Sequence, residues 1–370
     1  MANKTNRRNS SYLTYPYIVC NLNKLRDNLA ALTKRCQIYN VSIVGVIKGF
    51  NGIAEIAKVY DGKVDFIASS RLEQLNVIKE LNLQTPLMCI RISMPSEVDE
   101  LVRICQISLQ SDPSVIKLIN EAAKKQGLIH KIVLMADIGD LREGFWNKDH
   151  LFEEALKIEN EYDNLYLAGV GTNLGCYGSI VATPEKLQEL VDIKDEIEKR
   201  INRKIDIVSG GGSSSLLTLL DKKIPEGINE LRLGESVLMG LGTWGLDLDY
   251  LHDDVFELWT QVVEVETKPS FPVGQRGVDA FGNVVEYEDI GIHTRAIVSI
   301  GKLDYGNDPF ALKAFDKNIK VLGASSDHTI LDVTNAKEPI KVGDIIKFKI
   351  SYSNLIYLTN TNTVRLIVRD

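Results

Sequence analysis

The feature that most constrains the fold of this sequence is an alternation, repeated eight times before residue 240, of a short β-rich run and a stretch of helical periodicity. The runs lie at 43–47, 66–69, 87–90, 106–110, 131–136, 166–171, 205–209 and 230–232. The first, fifth and seventh are rich in Val and Ile with few polar residues, as parallel strands buried on both faces are. In segments such as 22–35, 71–81, 113–125, 151–161 and 184–201, apolar residues recur at spacings of three and four, the pattern of a helix with one face on a core. Pro184 after Thr183 suits the first turn of a helix. Eight such units over ~250 residues predict an α/β fold, a TIM (β/α)8 barrel. A doubly wound open sheet uses fewer strands and a Gly-rich first turn, and no GxGxxG follows the first run here.

After residue 241 the texture changes. Residues 245–257 include Asp247, Asp249, Asp253, Asp254 and Glu257 and read as an acidic, solvated connection. Further β-rich runs follow at 258–267, 277–281, 294–300, 319–322, 329–333, 344–350 and 363–368, with no strong helical stretch. They predict a C-terminal, mostly antiparallel β domain. The expected organisation is an N-terminal tail (1–14), a barrel (15–250) and a β domain (251–370), and a chain of 370 residues suits two domains.

Composition narrows the classes. With 44% hydrophobic and 25% charged residues the chain is an ordinary globular protein, and its net charge of −7 gives no footprint for nucleic acid. No stretch approaches the ~18 apolar residues of a membrane span, and the basic N-terminus lacks the apolar region of a secretory signal. The five cysteines form no CxxC pair, which suits core thiols in a reducing cytoplasm. The five histidines show no zinc-ligand spacing, so no metal site is expected.

In a TIM barrel the chemistry sits where strands end. The first strand runs into Val46-Ile47-Lys48-Gly49. A lysine there either snorkels to solvent or, its pKa lowered by desolvation, serves as an amine nucleophile. The fifth strand leads into Asp137-Ile138-Gly139-Asp140-Leu141-Arg142-Glu143-Gly144, either a solvated salt-bridge loop or the seat of an arginine that clamps a carboxylate or phenolate. After the seventh strand comes Ser209-Gly210-Gly211-Gly212-Ser213-Ser214-Ser215, and the eighth carries Leu231-Arg232-Leu233-Gly234-Glu235. Glycines and serines at these two places are what a phosphate site needs. A lysine, a phosphate cradle and an arginine beside it together suit pyridoxal 5'-phosphate (PLP).

These motifs, with Tyr15-Pro16-Tyr17, Ala68-Ser69-Ser70-Arg71, Gly171-Thr172-Asn173-Leu174, Cys176-Tyr177-Gly178, Gly277-Val278-Asp279-Ala280-Phe281-Gly282 and the stretch from Gly323 to His328, occur in the order and with the gaps of a known family. The chain resembles the alanine-racemase-like, fold-type III PLP enzymes, most closely their ornithine-racemase-like branch, over nearly its whole length. The resemblance implies an amino-acid racemase acting by two-base proton transfer at Cα on a basic substrate such as ornithine or lysine, as a homodimer with shared sites. It implies that Lys48 is the Schiff-base lysine and one base, that Arg232 faces the pyridine nitrogen, and that Asn173 stands where many relatives have a histidine on the cofactor ring. Ser213, Gly234, Glu235 (the last two through backbone N–H) and Tyr352 match phosphate ligands. Arg142 matches an arginine near the phenolate and the substrate carboxylate, and Ser326 of a partner subunit matches a backbone N–H that meets that carboxylate.

The sequence departs from alanine racemases in several places. Their active-site tyrosine is missing and Asp279 takes its place, as a second base, as an anchor for a distal ammonium, or as a turn residue. Met135 stands where many have a carbamylated lysine, Lys302 where they have a pocket tyrosine, and Gly212 where the closest branch has Asn. Two rival functions are a type III lyase of the D-threonine-aldolase kind and a non-catalytic PLP-homeostasis barrel. The first needs a metal-ligand set and the second lacks a β domain.

Overall fold

The computed structural model describes residues 14–241, 248–279 and 281–370. Most of the expected tail, Asp247 and Ala280 lie outside the described residues. The chain forms two compact units, one from Leu22 to Asp253 and one from the residues up to Asn21 together with Asp254–Asp370.

In the first unit eight parallel strands close a barrel in chain order: β2 (Ser42–Val46), β3 (Phe66–Ser69), β4 (Leu87–Cys89), β5 (Ile107–Gln110), β6 (His130–Met135), β7 (Leu165–Gly171), β8 (Ile207–Ser209) and β9 (Glu230–Leu233). The closing pair sets Val44 of β2 opposite Arg232 of β9. The (β/α)8 barrel expected from the alternation is what the chain builds. Its interior is filled by Val44, Ala68, Met88, Ile107, Leu109, Val133, Met135 and Ala168. Met135 is therefore part of a dry apolar plug. The helices start and stop where local chemistry dictates. The Asp112 carboxylate accepts from the backbone N–H of Ser114 and Val115 at the head of helix Pro113–Gln126, and Gly127 in the left-handed region ends it. Thr183 caps helix Pro184–Ile201 in the same way.

The second unit is a mostly antiparallel sheet built on the long β10 (Phe256–Pro269), which pairs with β11 (Ile292–Val298) and β15 (Ile345–Lys349). It is completed by β12 (Lys313–Ala314), β13 (Lys320–Ala324), β14 (Thr329–Asp332) and β16 (Arg365–Arg369). Three expectations need correction. Residues 15–21, placed above in the barrel domain, include a strand that was not expected, β1 (Tyr17–Asn21). It pairs antiparallel with β10 and parallel with β16, partners more than 230 residues away in sequence that no local pattern announces. The run at 277–281 is no strand among its described residues, because Asp279 folds it into a turn. Two helices, Lys302–Tyr305 and Tyr352–Leu358, occur in this unit. At four and seven residues they are too short to show a periodicity. No described helix is long and apolar enough to cross a membrane.

Candidate active site

Lys48 leaves β2 in a single 3-10 turn, Lys48–Phe50, stopped by Asn51 in the left-handed region. The turn is pinned behind the lysine, since Gln74 donates to Asn51 Oδ1 at 2.9 Å and is itself held by Ser69. The Lys48 side chain is open to solvent and has no hydrogen bond or ion pair among the described residues. Its ammonium is nevertheless pushed below the usual lysine range. Crowding by the barrel mouth is the main cause, with Arg142 and Arg232 adding to it and Cys176 and Glu143 opposing.

Arg232 points inward from β9 and is 5% exposed. Its guanidinium donates to Ser209 Oγ, to the Thr172 carbonyl at 2.6 Å and to Asn173 Oδ1 at 2.6 Å. Burial pulls its pKa down, and Glu230 and Glu143 pull it back. An arginine starts so high that it keeps its proton. Glu230 lies two residues away on the same face of β9 and is buried, which raises its pKa.

The loop that follows β6 carries Arg142. Its acidic residues divide the labour. Asp137 Oδ1 accepts from the N–H of Gly139 and Leu141. Asp140, 2% exposed, accepts from Cys176, Tyr177 and Gly178 and so ties this loop to the one after β7. Glu143 alone turns toward Arg142, which reaches it through Nε and, at 2.6 Å, through Nη2. Burial lowers the Arg142 pKa and the Glu143 carboxylate more than offsets it, leaving it raised. Glu143 also accepts from Asn173 Nδ2. Gly144 makes the loop's exit possible. It has φ +130°, and a Cβ there would stand 2.4 Å from the Asp137 nitrogen.

The serine-rich stretch becomes the first turn of helix Ser213–Leu220, and Gly234 heads helix Glu235–Met239. The two helix starts converge, with Ser213 Oγ 3.1 Å from Ser236 Oγ and 3.2 Å from the Ser236 N–H. The first N–H groups of a helix have no partner within it, so the pair offers donors to an anion. Glycines keep the approach open. A Cβ on Gly212 would lie 3.2 Å from the Arg232 carbonyl and one on Gly234 3.2 Å from Val46 Cβ. An amine without a partner among the described residues, a donor-rich cradle and a buried guanidinium fit PLP. Lys48 would hold its aldehyde end, Ser213, Gly234, Glu235 and Ser236 its phosphate, and Arg232 its ring nitrogen.

The barrel thus brings Lys48, Arg142, Asn173 and Arg232 into one field, with Ser213, Gly234 and Glu235 at the cradle. The remaining candidates lie in the β unit. Tyr352 begins helix Tyr352–Leu358 behind the Ser351 cap. Ser326 sits in the turn between β13 and β14 and its hydroxyl donates to Asp327. Lys302 sets its ammonium 4.3 Å from the centroid of the Phe281 ring. Asp279 lies at the surface. Its carboxylate accepts from the N–H of Phe281 and Asn283, bonds that hold it below the usual carboxylate range. In the single chain these bonds make Asp279 a turn residue, one of the three readings open for it, and a base would need the opposite shift. Glu143 and Ser236 were missed by sequence reasoning. A hydroxyl two residues into the helix after β9, mirroring Ser213, was the available signal for Ser236.

The comparisons agree with this geometry. The family "Alanine racemase, N-terminal domain" matches residues 20–241. An ornithine racemase of Acetoanaerobium sticklandii is 41% identical over 344 residues, covering 92% of this chain and 96% of that protein. The chain belongs to the alanine racemase family. Members are PLP-dependent amino-acid racemases, and this chain is an isomerase of that kind. Another member, a lysine racemase of Thermotoga maritima, is 37% identical over 346 residues, 93% of this chain and 96% of that one. Among solved structures, an alanine racemase of Streptomyces lavendulae superposes with a TM-score of 0.76 at 16% identity, covering 97% of this chain and 98% of that one. A histidine racemase of Leuconostoc mesenteroides superposes with a TM-score of 0.68 at 16% identity, covering 98% of this chain and 100% of that one.

Proposed function

We propose that this family member racemises a basic α-amino acid, ornithine or lysine, as a homodimer whose active sites draw on both subunits. The observation that carries the substrate class is the identity of 41% and 37% to an ornithine and a lysine racemase, each over more than nine-tenths of the chain.

PLP, when bound, supplies an electron sink for the charge that develops at Cα. Lys48, its pKa lowered by its crowded position, takes the Cα proton on one face or returns it. Arg142, fixed by Glu143, offers a planar fork for the substrate carboxylate. Arg232 keeps its proton and would offer the ring nitrogen a hydrogen bond only. An unprotonated ring would be a weaker sink, which would favour quick return of a proton to Cα, as racemisation needs. Ser213, Ser236 and the backbone N–H groups of Gly234 and Glu235 would anchor the phosphate. A group on the opposite face and the Ser326 N–H come from the partner's β unit. The exposed apolar side chains of the loop 271–291, among them Val273, Val278, Val284 and Ile290, support a subunit contact there. Four buried thiols among five free cysteines suit a reducing cytoplasm.

The test is incubation of the purified enzyme and PLP with single enantiomers of ornithine, lysine, alanine and histidine, followed by chiral chromatography. Ornithine or lysine should racemise with the highest kcat/KM. Alanine or histidine turned over faster than both would remove the basic-substrate assignment.

A further inference from the structure

Between the exposed arginine of the loop after β6 and the buried arginine of β9 runs an unbroken chain of hydrogen bonds with one carboxylate in it. We propose that Glu143 is a positioning residue for the reaction, a single anion that holds Arg142 in place and, through the Asn173 amide, orients Arg232. This rests on the roles assigned above to those two arginines.

The argument is one of donor and acceptor matching. Arg142 meets Glu143 with Nε on one oxygen and Nη2 on the other, a forked pairing that fixes a guanidinium in plane as well as in position. Oε1 also accepts from Asn173 Nδ2. Arg232 can only donate, so Asn173 must present Oδ1 to it, at 2.6 Å, and its Nδ2 must then face an acceptor. Glu143 is that acceptor, and it fixes which way the amide points. The Arg142 side chain is exposed. Without its partner it would regain the rotamer freedom of a long, solvated chain. Glu143 also offsets the field of two guanidiniums on Lys48. A glutamine cannot replace it, because its NH2 would have to face either the Arg142 fork or the Asn173 NH2, donor against donor.

The test compares Glu143→Gln, Glu143→Asp and Arg142→Lys with the wild type in two assays. One is kcat and KM with PLP bound. The other uses cofactor-free protein and follows modification of Lys48 by trinitrobenzenesulfonate across pH, read by peptide mass. Glu143→Gln should lose roughly 10²-fold in kcat/KM, the scale of a misplaced substrate clamp, at an unchanged melting temperature. Its Lys48 modification midpoint should move to lower pH. Glu143→Asp, which keeps the charge on a shorter arm, should return the midpoint toward wild type while recovering only part of the rate. Glu143→Gln with kcat/KM within about twofold of wild type, or a rate loss with no movement of the midpoint, would overturn the proposal. Arg142→Lys separates the two levels. Near-normal activity in that variant removes the site assignment itself, whereas a crippled Arg142→Lys beside an unaffected Glu143→Gln removes only the role of Glu143.

Discussion

Two loops that carry candidate site residues are built on opposite principles. The loop 136–145 of the barrel unit is closed on itself. Phe145 donates its N–H to the Met135 carbonyl and Asp137 donates back to Phe145. Asp140 is buried under three N–H donors, and Arg142 is held by Glu143. The loop 271–291 of the β unit is stapled at its base, where Ser270 accepts from the Ile290 N–H and donates to Asp289. Beyond that base it turns apolar side chains outward, with Val273 94% and Val284 77% exposed. The first loop has used its polar groups to fix its own shape before any ligand arrives. The second leaves several apolar side chains at the surface, as interaction sites do. On the function proposed above, the cofactor and the first proton transfer fall to the barrel unit, and the loop 271–291 is where a partner subunit would dock.

The sharpest way to break this comparison is to remove the barrel's amine. If proton transfer on one face of Cα belongs to the prebuilt half, Lys48→Ala should lower racemisation by roughly 10³-fold, the scale of a lost positioned base. Chiral chromatography from either enantiomer reads it, with circular dichroism to show an intact fold. Wild-type turnover by this variant would move the chemistry out of the barrel.

The preorganisation of the barrel also has an acid limit. His130 is buried beside Ser108, 2.9 Å from its hydroxyl, and burial lowers its pKa from 6.5 to about 4. Above about pH 6.5 the ring is neutral folded and unfolded, so nothing changes. As pH falls toward 4 the unfolded chain binds a proton that the folded barrel refuses. Stability is then lost by up to about 3 kcal/mol once pH passes below the folded value. Urea melts of the wild type and His130→Gln between pH 7 and pH 4 should diverge on the acid side, with the variant less pH-dependent. Parallel curves would show that His130 sets no acid limit on the barrel.

A smaller perturbation tests the loop itself. Gly144→Ala puts a Cβ 2.4 Å from the Asp137 nitrogen at φ +130°, a strain on the order of 1–3 kcal/mol. The melting temperature should fall, and KM should rise more than kcat drops because Arg142 sits two residues away. An unchanged KM would mean that the loop's closed shape does not position Arg142.

How far each loop could be read in advance follows from the range of its bonds. The barrel was legible because each strand and helix carries its own period, and Lys48, Ser213 and Arg232 stand at strand ends, where that architecture puts chemistry. Glu143 was not, because its function lies in a bond to Asn173, 30 residues away, and adjacent carboxylates in the same motif do purely structural work. Strand β1 was illegible for the same reason, since its identity comes from β10 and β16. Asp279 was ambiguous because a carboxylate in a glycine-flanked turn has one sequence and several fates, decided by whether burial or backbone N–H groups reach it first.

Asp279 therefore gives the smallest expected effect and the most direct test of the contrast between the two loops. Its Oδ1 accepts from two backbone N–H groups, at 2.9 and 2.8 Å, and these acceptances survive in Asp279→Asn, whose side-chain oxygen occupies the same place. What is lost is the charge and the long contact of Oδ2 with Asn283 Nδ2 at 3.4 Å. A group whose proton affinity is lowered by those N–H donors is poorly suited to take a proton from carbon. Deuterium wash-in at Cα should consequently stay within about twofold of wild type from either enantiomer, and the preference for basic over neutral substrates should be unchanged. Loss of exchange from one enantiomer alone would show that assembly strips those N–H groups from the carboxylate and buries it. The loop 271–291 would then be rebuilt in the working enzyme.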